Sequence, residues 1–334
     1  KIAEIELRKF NNVQHRFLPY DIKFLIETFF STWKPKKIFL VDSEIWPNLI
    51  LTAKNLKIPL ALLNARLTLK SFQKWKKFPN TAKKLFSVFD LCLTSNLETK
   101  SFLEELNAKN IYFKGNIKLI NEIDEKKIEN PNQEILLNNR FWIAASTHDT
   151  EDIFCLKTHL KIKEKYKDII TIIAPRHIEK SKKIKALCEN FNLSAQILNK
   201  GETIKNNREI IIINSFGDLQ NFFKYAKSVF IGKSTIKKLE NDSGQNPIEA
   251  AKLRCKIYHG PYVYNFKEIY DILEKNKISK KVDSFEDLSA NLIIDLQSHH
   301  KAETEKSNPI NSLGQKTLTD TMKSINNFLF DNAQ

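Results

Sequence analysis

Glycine is nearly absent from this chain, with seven in 334 residues. There is no GxGxxG fingerprint and no P-loop, so the two commonest glycine-rich phosphate cradles are excluded. The few glycines therefore point to places where the backbone needs them. Gly115, Gly217, Gly232, Gly244 and Gly260 all fall at or just after the ends of strand-like runs. A missing side chain there lets backbone approach a ligand. Cysteine is scarce too. Cys92, Cys155, Cys188 and Cys255 stand far apart in apolar or helical surroundings, which argues for buried free thiols in a reducing compartment. His148 and His177 lack a third ligand at metal spacing, so no zinc site is expected. No window holds the about 18 apolar residues a membrane span needs, and no signal peptide is visible. A Ser-His-Asp set, a nucleophile elbow and an internal repeat are all missing.

What is present begins with length and charge. A chain of 334 residues, 42% of them hydrophobic, is expected to form two domains with sizeable cores. Lys and Arg total 54 against 39 acids, a net charge of +15. The excess is mostly Lys in a chain also rich in Ile, Asn and Phe, the bias that AT-rich codons produce. Such charge favours an anionic surface or substrate, whether phospholipid, nucleotide or nucleic acid. The lysines are scattered and no nucleic-acid motif is present, so nucleic acid is not expected as a partner. Lys74-Trp75-Lys76-Lys77-Phe78 mixes cations with aromatics and suits nucleic acid or a membrane surface. Lys180 to Lys185 reads as a solvated helix face.

Strand-like runs alternate with helical ones. Lys1–Phe10 reads as the end of a helix, Asn12–Pro19 as a strand and turn, and Asp21–Trp33 as an amphipathic helix. Strands follow at 37–41, 58–63, 91–94 and 111–113. Glu44, Arg66, Ser95 and Lys118 each sit just past one of these runs. A second alternation has strands at 141–145, 169–174, 209–213, 229–231, 256–258 and, more weakly, near Ile278. Helices are expected from Glu151, from Asn265, near Glu286 and over about 315–330. This alternation predicts parallel sheets with helices on both faces, and in such sheets ligands bind at the C-terminal strand ends. The polar stretch 121–139 is the expected boundary. It gives a first domain at 1–125, a second at 126–312, and a C-terminal helix at 313–334 that could return to the first.

The stretch from Ser228 to Phe266 is the most informative. An apolar strand ends at Gly232, and a polar loop leads to Asn246-Pro247-Ile248-Glu249. Asn246 suits an N-cap, Pro247 the first helical position, and Glu249 the third. Free backbone N–H groups and the helix dipole favour a phosphate there, and Glu249 could accept from ribose hydroxyls. The same four residues would equally form a plain capping box. Loops 146–148, 175–177 and 216–218 converge on the same sheet end. They add Ser146, His148, Pro175, Arg176, His177, Phe216, Gly217 and Asp218, a set suited to a nucleoside monophosphate or sugar nucleotide.

Several strings together resemble one family. Asp42-Ser43-Glu44-Ile45-Trp46-Pro47-Asn48, Asn64-Ala65-Arg66-Leu67, Gly115-Asn116-Ile117-Lys118, Ala145-Ser146-Thr147-His148, Pro175-Arg176-His177, Gly232-Lys233-Ser234 with Ser243 to Ala251, and Gly260-Pro261 with Asn265-Phe266 occur in order. So do Val13-Gln14-His15 and Leu18-Pro19-Tyr20-Asp21. The pattern is similar to that of the 3-deoxy-D-manno-octulosonic acid (Kdo) transferases and spans roughly residues 10 to 295. The resemblance implies an α/β glycosyltransferase of the GT-B type, two Rossmann-like domains with parallel sheets facing a cleft, the first truncated at its N-terminus. It further implies CMP-Kdo as donor, the lipid A precursor as acceptor at the cytoplasmic face of the bacterial inner membrane, and inverting transfer without cofactor or metal. By the same resemblance Glu44 and Lys118 would stabilise the transition state. Pro175, Arg176, Phe216, Gly217, Asp218 and Asn246 to Glu249 would hold CMP. Arg66, Ser146, His148, His177 and Ser234 would touch donor or acceptor.

Three departures from the pattern follow. The family's general base lies in a Ser-Val-Gly-Glu loop that would precede Lys1, as would its anchor, so the chain as given is expected not to turn over. Lys233 replaces a second glycine. Gln245 stands where the family has His. Two other readings stay open: a non-catalytic nucleotide-binding relative, and a GT-B enzyme using a UDP-sugar.

Overall fold

The computed structural model describes residues 10–298 and 309–330, together with Leu7. The helix expected at Lys1–Phe10 lies outside them apart from its two described positions. The chain divides into two compact units, residues 1–116 with 320–334, and residues 117–319. Among the described residues no helix is long and apolar enough to cross a membrane.

The first unit is built on four parallel strands, β1 (Ile38–Val41), β2 (Leu60–Ala65), β3 (Leu91–Thr94) and β4 (Ile111–Phe113), in the spatial order β1-β2-β3-β4. All of β3 and nearly all of β2 is buried. That explains why these strands read as apolar runs rather than alternating ones: both faces are covered. The helices are α1 (Lys23–Trp33), α2 (Pro47–Asn55), α3 (Leu69–Lys76), α4 (Pro79–Phe86) and α5 (Leu97–Glu105). Phe72 of α3 and Phe102 of α5 stack at 4.1 Å with planes 8° apart.

Two expectations need correction. Asn12–Pro19 forms no strand, and Phe17 in it is 86% exposed; its alternating apolar residues have no sheet to face. The basic aromatic run is part of α3 instead. Trp75 turns inward and meets Phe86 edge-on at 5.4 Å, while Lys76 pairs with Glu105 at 3.1 Å. Of the two aromatics in the run only Phe78 is exposed, alongside the exposed Lys74 and Lys77.

The second unit has seven parallel strands, β5 (Phe141–Thr147), β6 (Ile170–Pro175), β7 (Ala195–Leu198), β8 (Ile210–Ile213), β9 (Ser228–Ile231), β10 (Lys256–His259) and β11 (Ser279–Lys281). They lie in the order β11-β10-β9-β5-β6-β8-β7. Chain order runs one way from β5 and resumes on its other side at β9. The boundary between β5 and β9 is therefore the topological switch point, where ligands bind in sheets of this kind. The connecting helices are α6 (Gln133–Asn138), α7 (Glu151–Lys163), α8 (Ser181–Asn190), α9 (Leu219–Phe223), α10 (Ile248–Lys252), α11 (Lys267–Lys275) and α12 (Phe285–Asp295). The last helix, α13 (Pro309–Phe330), begins earlier than its sequence pattern suggests. Its residues from Asp320 onward belong to the first unit, where Phe328 meets Phe39 edge-on at 5.3 Å. Lys37 closes its end, donating to the carbonyls of Phe328 and Leu329. A cation at a helix C-terminus is favourable for both hydrogen bonding and the dipole.

His159 and Asp152 of helix α7 are moved from their ordinary pKa values by burial. His159 is fully buried, with Nδ1 2.9 Å from the Thr171 hydroxyl. Burial lowers its pKa from the ordinary 6.5 to about 4. Asp152 accepts from the Thr147 hydroxyl at 2.9 Å, and burial pushes it up to about 6. The two act oppositely on stability. For His159 the unfolded chain holds the extra proton between its two pKa values, so this contribution is whole above the ordinary pKa and shrinks as pH falls toward about 4. For Asp152 the folded chain holds the extra proton, so its contribution is lost as pH rises through about 6. His159→Gln is expected to shallow the acid-side loss of stability by up to about 3 kcal/mol. Asp152→Asn should steepen the fall below pH 6. Urea midpoints at a series of pH values between neutrality and the His159 pKa read both.

Candidate nucleotide site

In the second unit the loops after β5, β6, β8, β9 and β10 all leave the same end of the sheet. The loop after β9 is the most constrained. Gly232 donates to the Ala145 carbonyl at 2.8 Å, and Lys233 follows with a φ of 56°. The N–H groups that sequence left free here are occupied. The Glu151 carboxylate, fully buried at the start of α7, accepts from the backbone N–H of Lys233 at 2.6 Å, Ser234 at 2.9 Å and Thr235 at 3.1 Å. It also accepts from the Thr235 hydroxyl at 3.0 Å and the His148 N–H at 3.0 Å. An internal carboxylate thus takes up the donors at the start of this loop, upstream of the helix start where the sequence places a phosphate. The only sequence signal was an acidic residue in the first turn of a helix, which alone says nothing of burial.

The helix start downstream remains available in a different register. The Pro247 carbonyl accepts the first helical bond, from Ala251 at 2.9 Å, so Pro247 is the N-cap and Glu249 falls at the second helical position. Asn246 lies before the cap and accepts from the Ile248 N–H at 3.0 Å through its side chain. This corrects the expected cap by one residue. Because Pro lacks an N–H, the turn is fixed instead by the Asn246 side chain. Asn246 is exposed, Glu249 half-buried, and the Ile248 side chain belongs to the apolar core. Gly244, with a φ of 82°, packs against Val263 so closely that a Cβ would lie 2.8 Å from its Cα.

The other predicted residues are spread around this start. Ser146 has a φ of 55°, and its carbonyl lies 3.1 Å from His148 Nδ1. Burial lowers the His148 pKa, opposed by the Ser146 carbonyl and the Glu151 charge. The His148 and His177 rings meet edge-on at 5.8 Å. Pro175 is buried at the end of β6 while Arg176 is exposed, its N–H bonded to the Thr147 carbonyl at 3.0 Å. Phe216 is 65% exposed beside Gly217, and Asp218 is buried with Lys200 at 3.9 Å. Ser234 sits differently from expectation. It is fully buried, its hydroxyl donates to the Ile231 carbonyl at 2.7 Å and accepts from the Gly260 N–H at 2.9 Å. Its side chain serves the framework. Lys118 is exposed on a 3-10 turn (Ile117–Leu119), with Nζ 6.0 Å from the centre of the Phe266 ring. That ring belongs to the loop after β10, so Lys118 lies against the rim of this same site. Among the described residues no group of three or more His, Cys, Asp or Glu could hold a metal ion.

In the first unit Glu44 and Arg66 leave the ends of β1 and β2. The two loops are tied together: Asn64 donates to the Asp42 carboxylate, the Arg66 N–H to the Asp42 carbonyl at 3.2 Å, and the Ser43 hydroxyl to the Arg66 carbonyl at 2.7 Å. Glu44 is exposed and accepts from the Trp46 indole at 2.6 Å. The N-terminus of α2 is closed by Asp21, whose carboxylate accepts from the N–H groups of Asn48 and Leu49 at 3.0 and 2.9 Å. A carboxylate at that end meets both the orphan donors and the dipole.

Two parallel-sheet units with this strand arrangement define the class. The UDP-GlcNAc 2-epimerase of Methanocaldococcus jannaschii superposes with a TM-score of 0.59 at 16% identity, covering 97% of this chain and 89% of the epimerase. The likeness is one of fold, and places the chain among GT-B-like α/β proteins.

Sequence comparison goes further. The family described as 3-Deoxy-D-manno-octulosonic-acid transferase (kdotransferase) matches residues 2–121. The 3-deoxy-D-manno-octulosonic acid transferase of Rickettsia typhi is 30% identical over 340 residues, covering 98% of this chain and 71% of the relative. That of Haemophilus influenzae is 29% identical over 283 residues. The chain spans 62% of the Haemophilus protein's length. The chain belongs to the 3-deoxy-D-manno-octulosonic acid transferase family.

The site's packing gives two testable consequences. A Cβ on Gly232 would lie 2.8 Å from Glu151 Oε2 and 2.7 Å from the Ser146 carbonyl oxygen. Gly232→Ala is expected to destabilise by about 1–3 kcal/mol, through overpacking. Asp21→Ala should cost about 1–2 kcal/mol by uncapping α2. Denaturant unfolding measures both.

Proposed function

We propose that this chain is the donor-binding part and much of the acceptor-side part of a glycosyltransferase that moves Kdo from CMP-Kdo to the lipid A precursor. The observation that carries the reading is the helix start at Asn246–Glu249. It lies at the C-terminal end of the sheet, beside the switch point, in a chain of the Kdo transferase family. A single nucleotide phosphate would meet the start of α10 and the N–H groups around it. Glu249 would accept from ribose hydroxyls, and Pro175, Arg176 and the Phe216-Gly217-Asp218 loop would hold the base and phosphate. The exposed Phe216 ring next to an unobstructed Gly217 offers a flat apolar contact for the base.

In the reaction a hydroxyl oxygen of the acceptor attacks the anomeric carbon of Kdo as the bond to the CMP phosphate breaks. CMP leaves with the electron pair, and a general base takes the hydroxyl proton, which gives inversion. Lys118 supports this by placing positive charge at the rim of the donor site, where the leaving phosphate gathers negative charge. That cation lets the chemistry run without a bound metal. Glu44 would act on the transition state from the first unit, and Arg66 would face an acidic group of donor or acceptor. Ser146, His148 and His177 would line the sugar side. The acceptor places the protein at the cytoplasmic face of the bacterial inner membrane, and the charge of +15 suits that anionic surface.

Calorimetry tests the reading directly. CMP should bind this chain and UDP should bind at least about tenfold more weakly, a difference of about 1.4 kcal/mol. Glu249→Ala should weaken CMP by about tenfold while costing no more than about 1 kcal/mol of folding stability. Absence of CMP binding, or a preference for UDP, would sink the proposal.

A further inference from the structure

Glu151 is the most heavily bonded buried carboxylate at the site, and no role in the donor reading has been given to it. Its side chain has no solvent exposure, so it does not reach a ligand itself. It bonds to two strand-end loops at once. His148 is on the loop after β5, and Lys233, Ser234 and Thr235 are on the loop after β9. These are the two strands that flank the switch point.

The bonds run on from there to the nucleotide seat. The Lys233 carbonyl accepts from the Gly244 N–H at 2.6 Å, two residues before Asn246. The Ser234 carbonyl accepts from the Tyr262 N–H at 2.9 Å, and the Ser234 hydroxyl from the Gly260 N–H. Ser243 in turn takes the N–H groups of Tyr264 and Asn265. Tyr270, also buried, donates to the Gln245 carbonyl at 3.1 Å. So the loops after β5, β9 and β10 hang on one carboxylate, and the segment 244–246 that opens α10 is held by the loop it folds. Gly232 leaves the space the carboxylate occupies.

We infer that Glu151 is a positioning residue of the nucleotide seat, an internal anion that gathers the loop N–H groups and thereby sets where Asn246 to Glu249 stand. The inference rests on the CMP reading above. A carboxylate is needed because it only accepts. Each carboxylate oxygen accepts from two backbone N–H groups, so the amide of Gln would turn an NH2 group toward two of those donors and leave both unpaired.

Three variants and one small anion test it. Glu151→Gln, if folded, should weaken CMP binding by at least about tenfold. Glu151→Ala should leave a hole facing the same four N–H groups. Sodium formate should then restore CMP affinity and raise the thermal midpoint of this variant, and leave the wild-type chain unchanged. Thr235→Val removes only the hydroxyl donor, keeps the fold, and should weaken CMP by about threefold. CMP affinity within about twofold of wild type in both Glu151→Gln and Thr235→Val would overturn the inference. So would a Glu151→Ala variant that formate does not rescue. If the wild-type chain itself fails to bind CMP, the nucleotide reading falls. The formate response of the thermal midpoint then decides the internal-anion part: a rise confined to Glu151→Ala upholds it, and no rise removes it.

Discussion

The second unit depends on one constraint: a carboxylate buried at a sheet end must be surrounded by donors. Stripping water from a charged group is costly unless hydrogen bonds replace it. Glu151 meets that demand with four backbone N–H groups and a hydroxyl. Each of those donors is thereby fixed in place. Loops that would otherwise be the mobile part of the molecule become a frame, and the start of α10 is mounted on it. The same arrangement explains why Gly232 tolerates no side chain and why Lys233 takes a left-handed conformation.

The first unit uses the same chemistry in a different place. Asp21 sits on the orphan N–H groups of α2, and Asp42 and Asn64 lock the loops after β1 and β2. In both units an acidic side chain takes up backbone donors that would otherwise be left without a protein partner. What stays outside these internal clasps is the start of α10, Lys118 beside Phe266, Arg176 and the exposed Phe216. The division between internal anions and the groups left at the surface is what gives the candidate site its shape.

Much of this was legible in the residues. Strands β2, β3, β5, β6, β8 and β9 are buried at all or nearly all positions and read as continuous apolar runs, so they could be placed to within a few residues; β1, β4 and β10 are less buried but still stand out as short apolar runs. The strand-end positions of Glu44, Arg66, Lys118 and Arg176 were visible for the same reason, and Glu249 was visible as part of a helix start. The misses have physical causes. Strand β7 is only half-buried at three of its four positions, so its composition carries no run. The cap of α10 shifted by one residue because Asn246 bonds two residues ahead rather than three. Trp75 looked like a surface aromatic because its neighbours are lysines, and only the packing of α3 against Phe86 turns it inward.

The sequence by itself determined the alternation of strands and helices, the family, and the set of groups that a nucleotide could meet. Those follow from local periodicity and from ordered short strings, which need no knowledge of what lies across the sheet. Only the tertiary structure decided which of the backbone donors are spoken for. Glu151 and Lys233 are 82 residues apart in the chain, and no local pattern reports a contact of that separation. That contact takes up the backbone donors at the start of the loop after β9. The helix start at Asn246 to Glu249, proposed as the nucleotide seat, lies beyond it.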